Sequence, residues 1–173
     1  MKSIKTTFLL VAALLFGSVL QAGAQSAKRE FRGAWIQCVN GQFMGMSTAE
    51  MQRTLTSQLD ELQRDGVNAI IFQVRAECDA LYNSPYEPWS RFLTGQQGKA
   101  PSPYWDPLQW MIEQCHKRGM ELHAWLNPYR AKTKNTTNLA SSHIAITHPD
   151  RVFPYDGLFI LNPGIAANRT YIC

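Results

Sequence analysis

Aromatic and polar side chains gather in the stretch Glu121 to Arg130, which reads E-L-H-A-W-L-N-P-Y-R. Its first half alternates as a strand does, and Pro128 ends that strand because a proline nitrogen has no N–H for the ladder. Asn127 and Arg130 therefore follow the strand at its carboxyl end, close to Trp125. Rings stack on sugar faces, and amide and guanidinium groups hydrogen-bond hydroxyls and carboxylates. The pattern favours a polyhydroxylated ligand; the alternative is a buried strand with a capped turn, in which Trp125 is an interior residue.

A second polar group follows another apolar strand, predicted over Val67 to Arg75. Its near-continuous apolar run is typical of a parallel strand that is covered on both faces. Arg75 is expected to bind a substrate, and Glu77 and Asp79 either bind sugar hydroxyls or form a local salt bridge, such as one between Asp79 and Arg75. None of the three is assigned as catalytic. Because neighbouring parallel strands lie about 4.8 Å apart, the polar groups after the two strands are expected to converge on one cleft.

Helices are predicted before and after the second strand. Ser47 and Glu50 form a capping box, an apolar stripe follows, and Asp65-Gly66 ends this first helix. Asp106 and Pro107 open the next helix as its N-cap and first helical residue. The remaining elements are a first strand over Phe31 to Val39, an ordered loop over Ala80 to Tyr104, short strands or packed loop at Val152-Phe153 and Leu158–Leu161, and a third helix over Ala166 to Ile172.

The N-terminus has the pattern of an export signal. Lys2 and Lys5 supply a basic segment, and an apolar run of 13 residues follows. An A-x-A cleavage pattern then ends at Ala24. The apolar run is shorter than the roughly 20 residues that span a bilayer, so no integral membrane segment is expected after cleavage. The sequence thus predicts a signal over residues 1–24 and an exported mature chain over residues 25–173.

Charge and cysteine content exclude several classes of protein. Loss of two signal lysines lowers the formal net charge from +4 to +2, and no run of basic residues suggests a nucleic-acid partner. The cysteines are too few and too scattered for a disulfide scaffold and match no zinc pattern, so neither a metal nor another cofactor is predicted. Free or partly buried thiols are expected, with a disulfide as the alternative. The cysteines are Cys38, Cys78, Cys115 and Cys173.

The order of predicted elements favours a parallel sheet. Strands alternate with helices, which implies right-handed crossovers in an α/β fold. No G-x-G-x-x-G follows the first strand, so a dinucleotide-binding fold is disfavoured. The remaining candidate is a (β/α)8 TIM barrel, which typically needs ~250 residues. The chain is expected to contain about its first three βα units.

Five segments of the chain carry a resemblance to a known family. Their sequences are R-G-A-W-I at Arg32–Ile36, D-G-V-N-A-I-I-F-Q-V-R at Asp65–Arg75, D-A-L-Y at Asp79–Tyr82, H-A-W-L-N-P-Y-R at His123–Arg130 and L-N-P-G at Leu161–Gly164. Together they resemble the glycosyl-hydrolase-like 10 family of exported bacterial proteins. The resemblance implies a TIM-barrel glycoside hydrolase, in the periplasm or outside the cell, acting on a polysaccharide such as bacterial cell-wall glycan.

The family resemblance also bears on catalysis. In related barrels the key acidic residues come at the end of the fourth strand and beyond, so the catalytic residues are expected beyond Cys173. Arg75, Asp79, Trp125, Asn127 and Arg130 are predicted to bind substrate. The alternatives are a non-catalytic carbohydrate-binding remnant and an inactive fragment, whose three βα units would leave an open sheet edge. Sugar specificity, stereochemical outcome and oligomeric state stay open.

Overall fold

The computed structural model describes residues 30–173, and the predicted signal over residues 1–24 lies outside them. Arg32–Cys173 form one compact unit. No helix of residues 30–173 has both the length and the apolar character needed to cross a membrane. In chain order the elements are β1 (Gly33–Ile36), α1 (Thr48–Arg64), β2 (Ala69–Arg75), α2 (Arg91–Thr94), α3 (Pro107–Lys117), β3 (Glu121–Leu126), β4 (Arg130–Lys132), α4 (Ile144–Thr147), β5 (Val152–Tyr155), β6 (Leu158–Leu161) and α5 (Ala166–Ile172).

Three parallel strands form the central sheet, in the order β1-β2-β3. Ile36 pairs with Phe72, and Phe72 pairs in turn with Ala124. Helices α1 and α3 connect the strands, as the alternation of strand and helix predicted. All three strands therefore end at the same edge of the sheet, where the chain enters its longest loops.

The two faces of this sheet differ in how well they are covered. Ile70 and Phe72 are fully buried in an apolar cluster that also contains Leu55 of α1 and Met111 of α3. The opposite face carries Trp35, which is 65% exposed. Helices thus cover one face, while the other is only partly covered by the part of the chain that the structure describes.

Local hydrogen bonds explain the bounds of the predicted elements. The capping box at Ser47 is present, with Glu50 reaching back to the Ser47 N–H (2.8 Å). The helix ends in a turn in which the Val67 N–H donates to Leu62 O (3.0 Å), with Gly66 at a φ of +81°. Val67 is therefore part of the helix end, and β2 begins two residues later than predicted.

The first strand is also shorter than predicted. After Ile36, the N–H of Cys38 donates to the side-chain oxygen of Gln73 (3.0 Å) instead of continuing a ladder. The N–H of Gly41 then donates to Cys38 O (3.1 Å), which closes a turn. The Cys38 N–H, which a longer β1 would have used in the ladder, is thus paired with a side chain of β2 instead.

Two segments that the sequence left as loops contain regular structure. The long loop after β2 includes the helical turn α2, and the segment after β3 forms an antiparallel sheet in the order β4-β6-β5. The strands suggested at Val152-Phe153 and Leu158–Leu161 are confirmed, but β4 was not predicted. A three-residue strand beginning at Arg130 is too short for alternation to reveal it.

Candidate active site

Arg75 lies at the carboxyl end of β2 with its guanidinium group fully engaged. Its Nε and Nη2 donate to Glu87, at 2.9 and 2.8 Å from Nε to the two carboxylate oxygens. Its Nη1 donates to the backbone oxygens of Asn127 (2.6 Å) and Pro128 (3.1 Å), and Nη2 also donates to the Cys78 sulfur (3.3 Å). Since a guanidinium carries five N–H groups, no donor remains for a ligand. Arg75 therefore joins the ends of β2 and β3 to the loop that carries Glu87.

Glu87 and Tyr171 complete this arrangement. The side chains of Arg75 and Glu87 are only 5% and 6% exposed, and the Tyr171 hydroxyl donates to Glu87 Oε1 (2.8 Å). Burial and the neighbouring Glu87 charge raise the pKa of Tyr171 above its ordinary value. Burial alone would lower the pKa of Arg75, but the hydrogen bonds to Glu87 raise it. Arg75 therefore keeps its positive charge beside Glu87, and the tyrosine is a neutral donor.

These groups line a cleft of about 910 Å³ at the carboxyl edge of the parallel sheet. The loop that follows β2 forms one wall, with Tyr82 and the strongly exposed ring of Tyr86. Leu126 at the end of β3 and residues of α5 form the other side. Aromatic rings and a buried carboxylate beside open space are the groups that bind a hydroxylated ring.

Glu77 occupies a second, closed network. Its fully buried carboxylate accepts hydrogen bonds from the Thr133 N–H (2.9 Å) and from the Thr136 hydroxyl (2.7 and 2.9 Å), and Arg91 Nε lies 3.4 Å from Oε2. His143 Nδ1 accepts from the Ala145 N–H (3.1 Å), so its Nε2 is the donor to Glu77 O (2.7 Å). Glu77 thus fixes the loop after β4 against the end of β2.

Asp79 is fully buried as well. The left-handed φ of +51° at Cys78 turns the chain between Glu77 and Asp79. Asp79 accepts from the Glu77 N–H (3.0 Å) and from Gln97 Nε2 (3.2 Å), and Gln97 in turn accepts from the backbone of a later loop. Burial raises the pKa of the Asp79 carboxyl, although the hydrogen bond from Gln97 acts in the opposite direction.

The residues after β3 are more open. Trp125 is half-buried, packs edge-on against Trp35 with ring centroids 4.9 Å apart, and donates from Nε1 to Asn127 Oδ1 (3.1 Å). Asn127 and Arg130 both donate to Ala76 O, at 3.4 and 3.0 Å. Only Nε of Arg130 is used in this way, and among residues 30–173 no acceptor meets its two terminal nitrogens. Arg130 therefore retains donors that Arg75 does not.

The geometry agrees with a sequence comparison. A family model described as Glycosyl hydrolase-like 10 matches residues 30–173. The chain belongs to the glycosyl hydrolase-like 10 family.

Two curated relatives support this assignment. Glycosyl hydrolase YngK of Bacillus subtilis (strain 168) is 40% identical over 170 residues, which make up 95% of this chain and 33% of that protein. Glycosyl hydrolase DigH of Escherichia coli (strain K12) is 32% identical over 177 residues, covering 90% of this chain and 40% of that protein. The chain thus spans between a third and two fifths of the length of these relatives.

Within this glycosyl hydrolase-like 10 chain, the predicted site residues divide into two groups. Asn127 and Arg130 meet at Ala76 O with Arg75 beside them, while Asp79 belongs to the buried network around Gln97. The suggested salt bridge between Asp79 and Arg75 is wrong, because Arg75 pairs with Glu87. Of the five predicted site residues, only Arg75 is among those that line the 910 Å³ cleft. Asp79, Trp125, Asn127 and Arg130 are not among them.

Glu87 and Arg151 are charged cleft residues that the sequence did not single out. Glu87 is the one that pairs with Arg75. It lies between Tyr86 and Pro88 in a loop without periodicity, so no local pattern marks it. Its partner Arg75 lies 12 residues earlier in the chain. That pairing could identify Glu87 only once the fold of the loop is known.

The cysteines and possible metal ligands complete the description of the site. Cys38, Cys78 and Cys115 are buried free thiols, and Cys173 is exposed and free, so the expected free thiols are confirmed. Burial raises the pKa of Cys38 and of Cys78 to about 12 and that of Cys115 to about 11. Within residues 30–173, no three His, Cys, Asp or Glu side chains converge closely enough to hold a metal ion.

Proposed function

We propose that this chain supplies the first three βα units of a (β/α)8-barrel glycoside hydrolase that is exported after cleavage of residues 1–24. Its substrate is a polysaccharide, with bacterial cell-wall glycan as the class. Membership in the glycosyl hydrolase-like 10 family and the names of the two relatives support the reaction type.

The observation that carries the proposal is the unequal coverage of the parallel sheet. A barrel sheet is wrapped by helices on its outer face, and side chains fill its interior. The sheet β1-β2-β3 has α1 and α3 on one face, and Trp35 and Trp125 pack together on the other. That arrangement fits a segment of barrel wall, with the polar groups at the carboxyl edge where barrels bind their ligands.

In this proposal the predicted binding residues have two roles. Trp125, Asn127 and Arg130 contact the glycan, because they are only partly buried and Arg130 has unused donors. Arg75 and Asp79 hold the surrounding loops, because the donors of Arg75 are all engaged and Asp79 has no solvent contact. Glycoside hydrolysis uses two carboxyl groups, about 5–5.5 Å apart for retention or ~6.5–9.5 Å apart for inversion. None of the five predicted binding residues is assigned to that pair.

The test is turnover of polysaccharides by the intact protein. Peptidoglycan glycan strands, chitin oligosaccharides, cellulose oligosaccharides and an α-glucan are incubated with it, and new reducing ends are measured. We expect new reducing ends to be released from at least one of them. We also expect protein recovered from its host to have a mature N-terminus near Gln25. Binding without release favours the carbohydrate-binding alternative. The proposal is contradicted if the protein binds none of the four polysaccharides and releases new reducing ends from none of them.

A further inference from the structure

Glu87 combines burial, a fixed orientation and access to open space. We propose that it is a substrate-contacting residue, whose Oε2 accepts a hydrogen bond from a hydroxyl of a neutral pyranose bound in the 910 Å³ cleft. This inference rests on the proposed glycan-binding function and adds a contact residue and a sugar class to it.

The two oxygens of Glu87 are used unequally. Oε1 accepts from Arg75 Nε, from Arg75 Nη2 and from the Tyr171 hydroxyl. Oε2 accepts from Arg75 Nε alone (2.8 Å). An ionised carboxylate offers about four lone-pair sites, so Oε1 is saturated and Oε2 has capacity left. The unused acceptor belongs to a residue that lines the cleft.

A purely stabilising role explains this pair less well. Removing two charges from water is costly, and a buried ion pair often stabilises a fold no better than apolar residues of the same volume. Arg75 and Glu87 are nearly buried, yet they line the cleft rather than the apolar cluster. Their geometry instead orients one carboxylate, with Arg75 and Tyr171 as its positioning residues.

The surroundings of Glu87 indicate the class of ligand. A carboxylate whose two oxygens both accept from a guanidinium has only acceptor capacity to offer, which suits a hydroxyl or amide group better than a sugar carboxylate. Tyr82 and Tyr86 line the same cleft, and the Tyr86 ring is 79% exposed. An exposed ring offers a flat apolar surface for one face of a pyranose, while the carboxylate receives a hydroxyl at its edge. At the position of Glu87 the cleft therefore suits a hydroxyl of a neutral sugar, and Arg151 adds a positive charge elsewhere in its lining.

The experiment compares Glu87→Gln with a matched control in the intact protein. Cellotetraose and tetra-N-acetylchitotetraose are the probes, and their dissociation constants are measured by calorimetry. Glu113→Gln makes the same chemical change on an exposed position of α3. We expect Glu87→Gln to weaken binding of at least one probe roughly tenfold or more, as for loss of a hydrogen bond to a charged group. The control should bind as the wild type does.

Two further measurements keep the inference falsifiable. Glu87→Asp keeps the charge but withdraws the carboxylate, so it should also weaken binding while it remains folded. A crystal structure of the wild type with the bound probe should place a sugar hydroxyl within hydrogen-bond distance of Oε2, and this result does not depend on the folding of a variant. A bound probe with no group near Oε2, or unchanged affinity in both folded variants, overturns this inference but leaves the proposed function in place. Binding of other glycans but of neither probe overturns the neutral-sugar class, whereas failure to bind any glycan overturns the proposed function as well.

Discussion

The two halves of β2 are equally buried, but different chemistry buries them. Ile70 and Phe72 in the first half pack among apolar side chains of α1 and α3. Gln73 and Arg75 in the second half are almost as inaccessible, but their side chains form hydrogen bonds: Gln73 Oε1 accepts from the Cys38 N–H, and Arg75 donates to Glu87. Within residues 30–173, Gln73 Nε2 is buried without a partner. Burial of apolar area stabilises a fold, whereas burial of charge stabilises it little. The first half thus holds the domain together, and the second half fixes its loops.

Each charged residue at the end of β2 holds a different segment. Arg75 binds the loop with Glu87 and the end of β3, Glu77 binds the loop at Thr133, and Asp79 binds Gln97. Three segments at the carboxyl edge are therefore attached to the five residues from Arg75 to Asp79. The candidate cleft depends on this attachment, because its walls are loops and α5.

The largest expected effect lies in the apolar half. Phe72→Ala removes a fully buried ring and should lower the free energy of unfolding by about 3–5 kcal/mol. Phe72→Leu should cost less than about 1.5 kcal/mol, because it keeps most of the volume. Urea denaturation of both variants measures the difference. Equal stability of Phe72→Ala and wild type would mean that this half of β2 is not the core.

A smaller loss of stability is expected in the polar half. Glu77→Ala removes the acceptor of three hydrogen bonds and leaves Arg91 without its carboxylate, at a cost of roughly 1.5–3 kcal/mol. Glu77→Gln keeps an acceptor oxygen and should cost less. Hydrogen exchange should increase around Thr133 and Thr136 more than in β2 itself. If exchange rises evenly over the whole domain, Glu77 is part of the core and does not anchor a loop.

The same contrast explains what the sequence could predict. Helix α1 follows from Ser47, Glu50 and a regular apolar stripe, since these signals act within one turn or one period. β2 follows from its apolar run, and β3 follows from the alternation that Pro128 ends. Local pattern and burial agree in α1 and β2, whereas no residue of β3 is fully buried.

The polar half could be predicted only in part. Its location after β2 and β3 follows from the parallel order of the strands, but its pairings join residues far apart in the chain, such as Glu77 and Thr136. Glu87 and Tyr171 are 84 residues apart and meet only because the chain folds back over the sheet edge. No spacing in the sequence reports such contacts, so Arg75 was given the wrong partner.

Labelling of the native cysteine thiols compares how tightly the apolar cluster and the polar edge are packed, and it needs no substitution that would change stability. Burial raises the pKa of Cys115, in the apolar cluster, to about 11 and that of Cys78, at the polar edge, to about 12. At pH 8 about a quarter of an ordinary thiol of pKa ~8.5 is ionised, but only about one part in a thousand or less of these two. Both should react with a maleimide far more slowly than the exposed Cys173, and faster as pH rises. Rapid labelling of Cys78 alone would show that the polar edge opens more readily than the core.

The central claim is that the carboxyl edge binds glycan while the apolar half maintains the fold. Asn127→Ala and Arg130→Ala test it most directly, with affinity for the best-bound polysaccharide and melting temperature measured on the same samples of intact protein. Lys117→Ala is the control, because Lys117 ends α3 and is exposed. Each edge variant should bind several-fold more weakly, as for about 0.5–1.5 kcal/mol per polar contact or about 1.5–3 kcal/mol where charge is involved, with a melting temperature close to that of the wild type. Variants that melt far lower but bind normally when folded would contradict the claim and make both residues structural.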